Sequence, residues 1–291
     1  MDGIIVINKH KGCTSHDIVY KVKKVFNKKV GHTGTLDPMA TGVLPLLIGK
    51  GTLCSKYLVN HDKTYRVNLQ LGKKTDTADS EGNIIEEREV RQEKLEKDYI
   101  KEVLKTFVGK QKQIPPIYSA IKVNGKKLYE YARKGQAVAI EPRNIEIYNI
   151  YLNNFDKENN EIIFTVECSK GTYIRTLCEN IAEKLNTIGC MKDLERIQVG
   201  KFNISDAVTI EEIKQNKDNT EFLNKHLITF EKILKDNPKI CLNSKQIEMF
   251  LNGVKIVKDL ENGIYKIENE KGIFIGTGEI KAGTLKRDII L

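Results

Sequence analysis

Val30-Gly31-His32-Thr33-Gly34-Thr35-Leu36-Asp37-Pro38-Met39-Ala40-Thr41-Gly42 is the stretch around which the rest of the chain is arranged. It holds three glycines, one proline and one carboxylate, and has no long apolar run. Glycine permits positive φ and close approach of backbone. Proline keeps the residue before it out of the helical region, so Asp37 falls on an extended or turn segment. The residues that follow, Val43-Leu44-Pro45-Leu46-Leu47-Ile48, are apolar enough to be buried. The pattern is a tight loop that enters a buried element and presents a single carboxylate. Two uses fit it: a turn in which Asp37 bonds its own backbone, or a loop on a rigid scaffold that carries chemistry.

Upstream, the β-branched run over 3–8 predicts a buried strand. Thr14 or Ser15 can cap a helix that runs to about residue 26, with Ile18, Val22, Val25 and Phe26 on one face. Downstream, a second helix is expected over 52–58. Residues 63–71 alternate as a strand, with Tyr65, Val67, Leu69 and Leu71 on one side. The polar segment 75–82 reads as a plain turn, because its acids lack the spacing of a calcium loop. A helix is expected over 93–107, an antiparallel strand pair over 145–152 and 161–168, a helix ending near 185, and a strand over 191–198. Thr209 and Glu212 have capping-box spacing. Residues 214–236 are polar, with a helical piece expected near 230–234, and form the candidate linker. Residues 239–291 read as a small, mostly β module containing a helix capped by Asn243 and closed by Gly253. The pattern alone gives mixed strands and helices.

At 291 residues the prior is one large domain, or one with a small companion. No apolar run approaches membrane-spanning length. The N-terminus has the wrong flanks for a signal peptide, so the expected location is the cytoplasm and no membrane is involved. The six cysteines are scattered, with no CxxC pair and no His cluster, so neither a metal site nor a disulfide framework is expected. The net charge of +9 is unevenly spread. Seven lysines against one aspartate fall in 8–31, and eight Lys or Arg against two Glu in 110–143. Concentrated positive charge fits either a polyanion-binding surface or solvated lysine-rich faces. Within 110–143, Pro115-Pro116 forbids a helical start. Asn124-Gly125 signals a hairpin, and tyrosines interleave with the basic residues. Such a segment suits RNA, with charge for phosphates and rings for stacking; it also suits an irregular surface loop.

The loop at 30–42 resembles, almost letter for letter, the catalytic loop of the TruB family of tRNA pseudouridine synthases, G-H-x-G-x-L-D-P-x-A-T-G. The resemblance extends over about residues 3–205. It includes P-P-x-Y-S-A-x-K-x-x-G from Pro115, and Tyr131-Ala132-Arg133-Lys134-Gly135, which match the family's RNA-gripping thumb. His10 stands where the family usually has proline in Asn-Lys-Pro-x-Gly-x-Thr, which bears on local loop geometry.

The resemblance implies a pseudouridine synthase fold, α+β, with a mixed, largely antiparallel sheet and flanking helices. It implies a catalytic domain over 1–236 with an inserted thumb at about 110–143, and a small PUA-like RNA-binding domain over 237–291. The implied reaction is conversion of uridine 55 in the T loop of tRNA to pseudouridine by a monomer. Isomerising a nucleoside involves no redox change and needs no cofactor. Asp37 matches the catalytic aspartate. Tyr65 matches the tyrosine that stacks on the flipped base and is implicated in C5 deprotonation. Arg175 matches the arginine paired with the aspartate, Leu194 the pocket leucine, and His32 the histidine beside the displaced nucleotide. Lys122, Lys126, Lys127 and Arg133 fall on the thumb. The competing readings are an RNA-binding or tRNA-folding protein whose loop is only structural, and a synthase with a different RNA target.

Overall fold

The computed structural model describes residues 2–58, 61–91, 93 and 95–291. Strands β1 (Gly3–Lys9), β2 (Val30–His32), β3 (Thr41–Ile48), β4 (Lys63–Leu71), the short pair β5 (Lys73–Thr75) and β6 (Ile84–Glu87), β7 (Gly109–Gln113), the thumb pair β8 (Lys122–Val123) and β9 (Lys126–Lys127), β10 (Arg143–Asp156), β11 (Glu161–Cys168), β12 (Gly189–Val199) and β13 (Phe202–Asn203) follow in chain order. The main sheet has the order β1-β3-β12-β4-β11-β10-β7, with β2 added to β3 and β13 to β12. Along that path only the junction of β3 with β12 is parallel; the other neighbours are antiparallel.

The apolar runs in β1 and β3 follow from burial on both faces. Ile5, Ile7, Leu44, Leu46 and Ile48 face one core, shared with the helices Ser15–Phe26, Lys97–Lys105 and Ile174–Lys184. Ile4, Val6, Val43 and Leu47 face a second core with Phe202, Phe230 and Leu234. The helix Ser15–Phe26 begins in a capping box: the Asp17 amide donates to the Thr14 hydroxyl oxygen at 3.1 Å, and the Thr14 amide donates to the Asp17 carboxylate at 2.8 Å.

Several expected elements turn out differently. The segment expected as a helix over 52–58 starts as a 3-10 turn, Gly49–Cys54, and becomes α-helical only over Ser55–Leu58. The helix expected over 93–107 is shorter, Lys97–Lys105, because Glu96 has an extended backbone; Lys94 lies outside the described residues. The candidate linker at 214–236 is packed chain instead. It forms helices Thr220–His226 and Phe230–Ile233, Ile228 exchanges two backbone hydrogen bonds with Ile4, each 2.8 Å, and Phe230 and Leu234 are buried. Its few apolar residues are spaced to anchor it, which its polarity masked.

The C-terminal part is β-rich. Strands β14 (Lys239–Leu242), β15 (Ile256–Val257), β16 (Gly263–Asn269), β17 (Phe274–Lys281) and β18 (Thr284–Ile290) form a sheet of order β14-β16-β17-β18-β15. Its helix, Ser244–Leu251, is capped by Asn243, and Gly253 follows at φ 78°. This sheet rests on the larger unit through Phe274 against Phe230, ring centroids 5.9 Å apart, and through Asp288, which accepts from Lys56 and Tyr57. The fold class is therefore α+β, with a mostly antiparallel sheet and a β-rich C-terminal domain.

Candidate active site

The loop between β2 and β3 is anchored on both sides of Asp37. Leu36, Met39 and Ala40 are buried, so the chain dives into the core before and after the carboxylate. The Ser15 hydroxyl both accepts from the Leu36 amide at 2.8 Å and donates to the Leu36 carbonyl at 3.1 Å. The fully buried Lys9 ammonium donates to the carbonyls of Cys13 at 2.7 Å and Pro38 at 3.1 Å, and the Gly12 amide also reaches Pro38. These bonds fix the segment in which His10 replaces the usual proline; His10 itself is exposed.

Arg175 stands in the first turn of the helix Ile174–Lys184, and its guanidinium collects three segments. Nε lies 3.2 Å from Asp37 Oδ2, Nη1 lies 3.6 Å from Asp79 Oδ2 and donates to the Thr77 carbonyl at 3.2 Å, and Nη2 donates to the Tyr118 carbonyl at 2.9 Å. The Arg175 and Asp79 side chains are 8% and 7% exposed, whereas that of Asp37 is 34% exposed, so only the Asp37 carboxylate opens onto solvent space. Burial pushes the Asp37 carboxyl above its ordinary value; Arg175 opposes that shift and Asp79 adds to it.

The space above Asp37 is a cleft of about 740 Å³, lined by the loop, by Lys63 and Tyr65 of β4, by Leu194 and Arg196 of β12, and by Tyr118 and Tyr129 at the thumb root. Register supplies this arrangement. Leu194 is opposite Val67, and Arg196 is opposite Tyr65 on β4 and opposite Gly42 across the parallel junction. Gly42 has φ 101°, and a Cβ there would lie 2.3 Å from the Arg196 carbonyl oxygen, so the junction requires glycine. Tyr65 is buried against the cleft wall, which pushes its phenol up to about 12, with Arg196 pulling it down.

Asp37, Tyr65, Arg175 and Leu194 therefore converge on one cleft. His32 does not line it. It lies half-buried on β2, five residues before Asp37, with Nδ1 buried and without a hydrogen-bond partner and its pKa lowered first by burial and then by Arg196. Lys122, Lys126 and Arg133 are exposed on the thumb outside the cleft, and Lys127 is half-buried there. The thumb hairpin turns at Asn124 and Gly125, both with positive φ. Tyr118, Tyr129 and Arg143 of the 110–143 segment line the cleft, and Arg133 Cζ and Lys127 Nζ lie 5.3 and 5.4 Å from the Tyr129 ring centroid.

Two site residues escape the sequence reading. Asp79 lies in the segment read as a plain turn. There it accepts from the Thr77 hydroxyl at 2.7 Å and the Glu81 amide at 3.1 Å while facing Arg175, and no local pattern marks it. Arg196 was within reach of pattern, since it follows Leu194 by two positions on one strand face. Among the described residues no three His, Cys, Asp or Glu side chains group as a metal site.

Comparison with known proteins places the chain in a family. Residues 22–174 match the TruB family pseudouridylate synthase N-terminal domain, 175–235 the tRNA pseudouridylate synthase B C-terminal domain, and 238–287 the pseudouridine synthase II TruB C-terminal domain. The chain is 45% identical to tRNA pseudouridine synthase B of Clostridium perfringens strain 13 over 96% of this chain and 95% of the relative. It is 43% identical to that of Caldanaerobacter subterraneus subsp. tengcongensis over the same shares. Among solved structures, an H/ACA RNP bound to a substrate RNA containing 2'-deoxyuridine superposes with a TM-score of 0.70 at 21% identity, over 99% of this chain and 85% of that one. A Cbf5-Nop10-Gar1 complex gives 0.69 at 23% identity, over 99% and 83%. At those identities the structural likeness speaks for the fold, and the sequence matches speak for the family. The chain belongs to the TruB family of pseudouridylate synthases.

Proposed function

We propose that this protein converts uridine 55 in the T loop of tRNA to pseudouridine, with Asp37 as the catalytic carboxylate acting on a nucleotide flipped out of its stack. The observation that carries this reading is the Arg175–Asp37 pair at the floor of a nucleotide-sized cleft, open on the Asp37 side only. The relatives named tRNA pseudouridine synthase B support tRNA as the substrate.

The reaction breaks the glycosidic bond between N1 and C1′, turns the uracil, forms a bond between C5 and C1′, and takes the proton from C5 while N1 gains one, so that substrate and product are isomers. Oxidation state is unchanged, so the chain's own side chains suffice. A carboxylate has precedent as a nucleophile in glycosyl chemistry. Arg175 favours its ionised form against burial. Tyr65 offers a ring on which the flipped uracil stacks and a phenol near C5, and Leu194 closes the pocket on the other side. His32, at the entrance of the loop, stands beside the space the displaced nucleotide leaves. Lys122, Lys126, Lys127 and Arg133 grip the RNA backbone from the thumb.

Residues 1–236 act as the catalytic domain and 237–291 as a PUA-like RNA-binding domain. The chain works as a monomer. It works in the cytoplasm, where its substrate is made.

The test is to incubate unmodified tRNA transcripts with the pure protein and map pseudouridine by chemical labelling and primer extension. Modification confined to position 55 supports the reading; modification elsewhere only, or none, overturns it.

A further inference from the structure

Gln113 ends β7, where the chain leaves the sheet for the thumb, and is only 5% exposed. A buried side-chain amide has to be paired, and both halves of this one go to a single distant residue. Oε1 accepts from the Tyr173 amide at 2.8 Å, and Nε2 donates to the Tyr173 carbonyl at 3.0 Å. Tyr173 precedes the helix Ile174–Lys184, and its own side chain makes no capping bond. Gln113 therefore holds the helix entrance from outside. Glutamine suits this task because one planar amide carries donor and acceptor together, which neither an ionised Glu nor an apolar side chain can copy.

Two more bonds join the same pair of segments. The Thr176 hydroxyl donates to the Ile114 carbonyl at 3.3 Å, and Arg175 Nη2 donates to the Tyr118 carbonyl at 2.9 Å. Residues 113, 114 and 118 of the thumb root thus meet residues 173, 176 and 175 at the helix start. Arg175 is bracketed by these ties, and its Nε lies 3.2 Å from Asp37 Oδ2. Gln113 makes the tie with two bonds, and it does not line the cleft.

Resting on the pseudouridine synthase reading above, we propose that Gln113 is a positioning residue: it fastens the root of the thumb to the turn that carries Arg175, so that the guanidinium meets Asp37 in a single register while the thumb holds the RNA. Gln113 acts through the Tyr173 backbone and Arg175 and does not itself touch the nucleotide. The charged groups around Asp37 are Arg175, Asp79, Lys9 and Arg196, with the phenols of Tyr65 and Tyr173 also near. Of the charged groups, Arg175 is the one in the turn that Gln113 holds.

The test is Gln113→Met, which keeps the length of the side chain and loses both bonds. It is read as single-turnover rate at saturating tRNA, tRNA affinity, and the titration of the Asp37 carboxyl followed by carbon NMR and assigned by its absence from Asp37→Asn. The rate should fall about tenfold to 100-fold, as expected when a group at the reacting centre is misplaced. Affinity should stay within about threefold, because the loss lies in the reacting complex and not in binding. Arg175 lowers the Asp37 pKa against burial, so a looser Arg175 should make Asp37 titrate at higher pH than in wild type. A weakened affinity with an unchanged rate at saturation would overturn the proposal and leave Gln113 as support for the thumb alone. A slower reaction with the Asp37 titration unmoved would also overturn it. If Gln113→Met does not fold, Gln113→Asn, which keeps an amide but falls one methylene short of Tyr173, is read by the same criteria. The titration needs no turnover: a wild-type chain that makes no pseudouridine sinks the functional reading alone, whereas an unmoved Asp37 titration sinks the Gln113 tie by itself.

Discussion

Asp37 and Asp79 share one guanidinium. Arg175 approaches Asp37 through Nε at 3.2 Å and Asp79 through Nη1 at 3.6 Å, and the two carboxylates differ in that Asp79 is shut in while Asp37 faces the cleft. One acid holds the arginine, and the other is held by it. The arrangement keeps a carboxylate available in a site whose burial disfavours its charge.

Asp79→Asn should therefore cost activity without touching the nucleotide. Arg175 loses an anchoring charge, and its contact with Asp37 loosens. Single-turnover rates should fall by about tenfold to 100-fold. Asp79 raises the Asp37 pKa directly but also anchors Arg175, which lowers it, so its removal should shift the acid limb of the pH–rate profile in the direction of whichever effect is larger. An unchanged rate and an unchanged acid limb would separate Asp79 from the site.

The direction of the Asp37 shift has a stability consequence. A carboxyl whose pKa is raised on folding binds more protons folded than unfolded, so stability falls as pH rises from the ordinary value of 3.8 through the raised one. Above that window the ionised group weighs against the fold. Asp37→Asn should match wild type in thermal unfolding at acid pH, where Asp37 is protonated, and unfold at a higher temperature near neutrality. A lower midpoint at neutral pH would mean that the Arg175 pair stabilises the fold more than burial opposes it.

Gly42→Ala tests the parallel junction. The added Cβ would meet the Arg196 carbonyl at 2.3 Å in a backbone conformation that disfavours a side chain, so either β3 or β12 must shift. The cost should be on the order of 2–3 kcal/mol in urea unfolding. Because Asp37 and Arg196 both hang on this junction, the turnover rate should fall as well.

The thumb lysines should behave differently from all of these. Changing Lys122, Lys126 and Lys127 to glutamine should weaken tRNA binding and flatten its salt dependence, by roughly one unit of slope per phosphate contact removed. The rate at saturating tRNA should change little, since these side chains lie outside the cleft. An unchanged salt slope would remove them from the RNA surface.

Much of this site was legible in the sequence. The glycine- and proline-framed loop marked Asp37, and the alternation of 63–71 put Tyr65 on the buried face of β4, where it is found. Leu194 and Arg175 came from resemblance to a family, because a leucine in a strand and an arginine opening a helix have no signature of their own. Asp79 was invisible, because its meaning depends on the partner at 175, and sequence separation hides such pairs. The helical piece expected near 230–234 is found as Phe230–Ile233, but the reading of 214–236 as a linker failed for a related reason. Its apolar residues are sparse, and only the sheet edge at Ile4 and the core around Phe230 give them partners. The extended β10, which runs through Asp156 where the strand was expected to end at 152, shows how a long antiparallel partner overrides polar local composition.

The central claim is that Asp37 is the reacting carboxylate. Its most direct measurement is Asp37→Asn assayed for tRNA binding and for pseudouridine at position 55 in the same preparation. The predicted result is tRNA affinity close to wild type with no pseudouridine formed, even at enzyme excess and long incubation. Pseudouridine formation by Asp37→Asn at a rate approaching wild type would contradict the account.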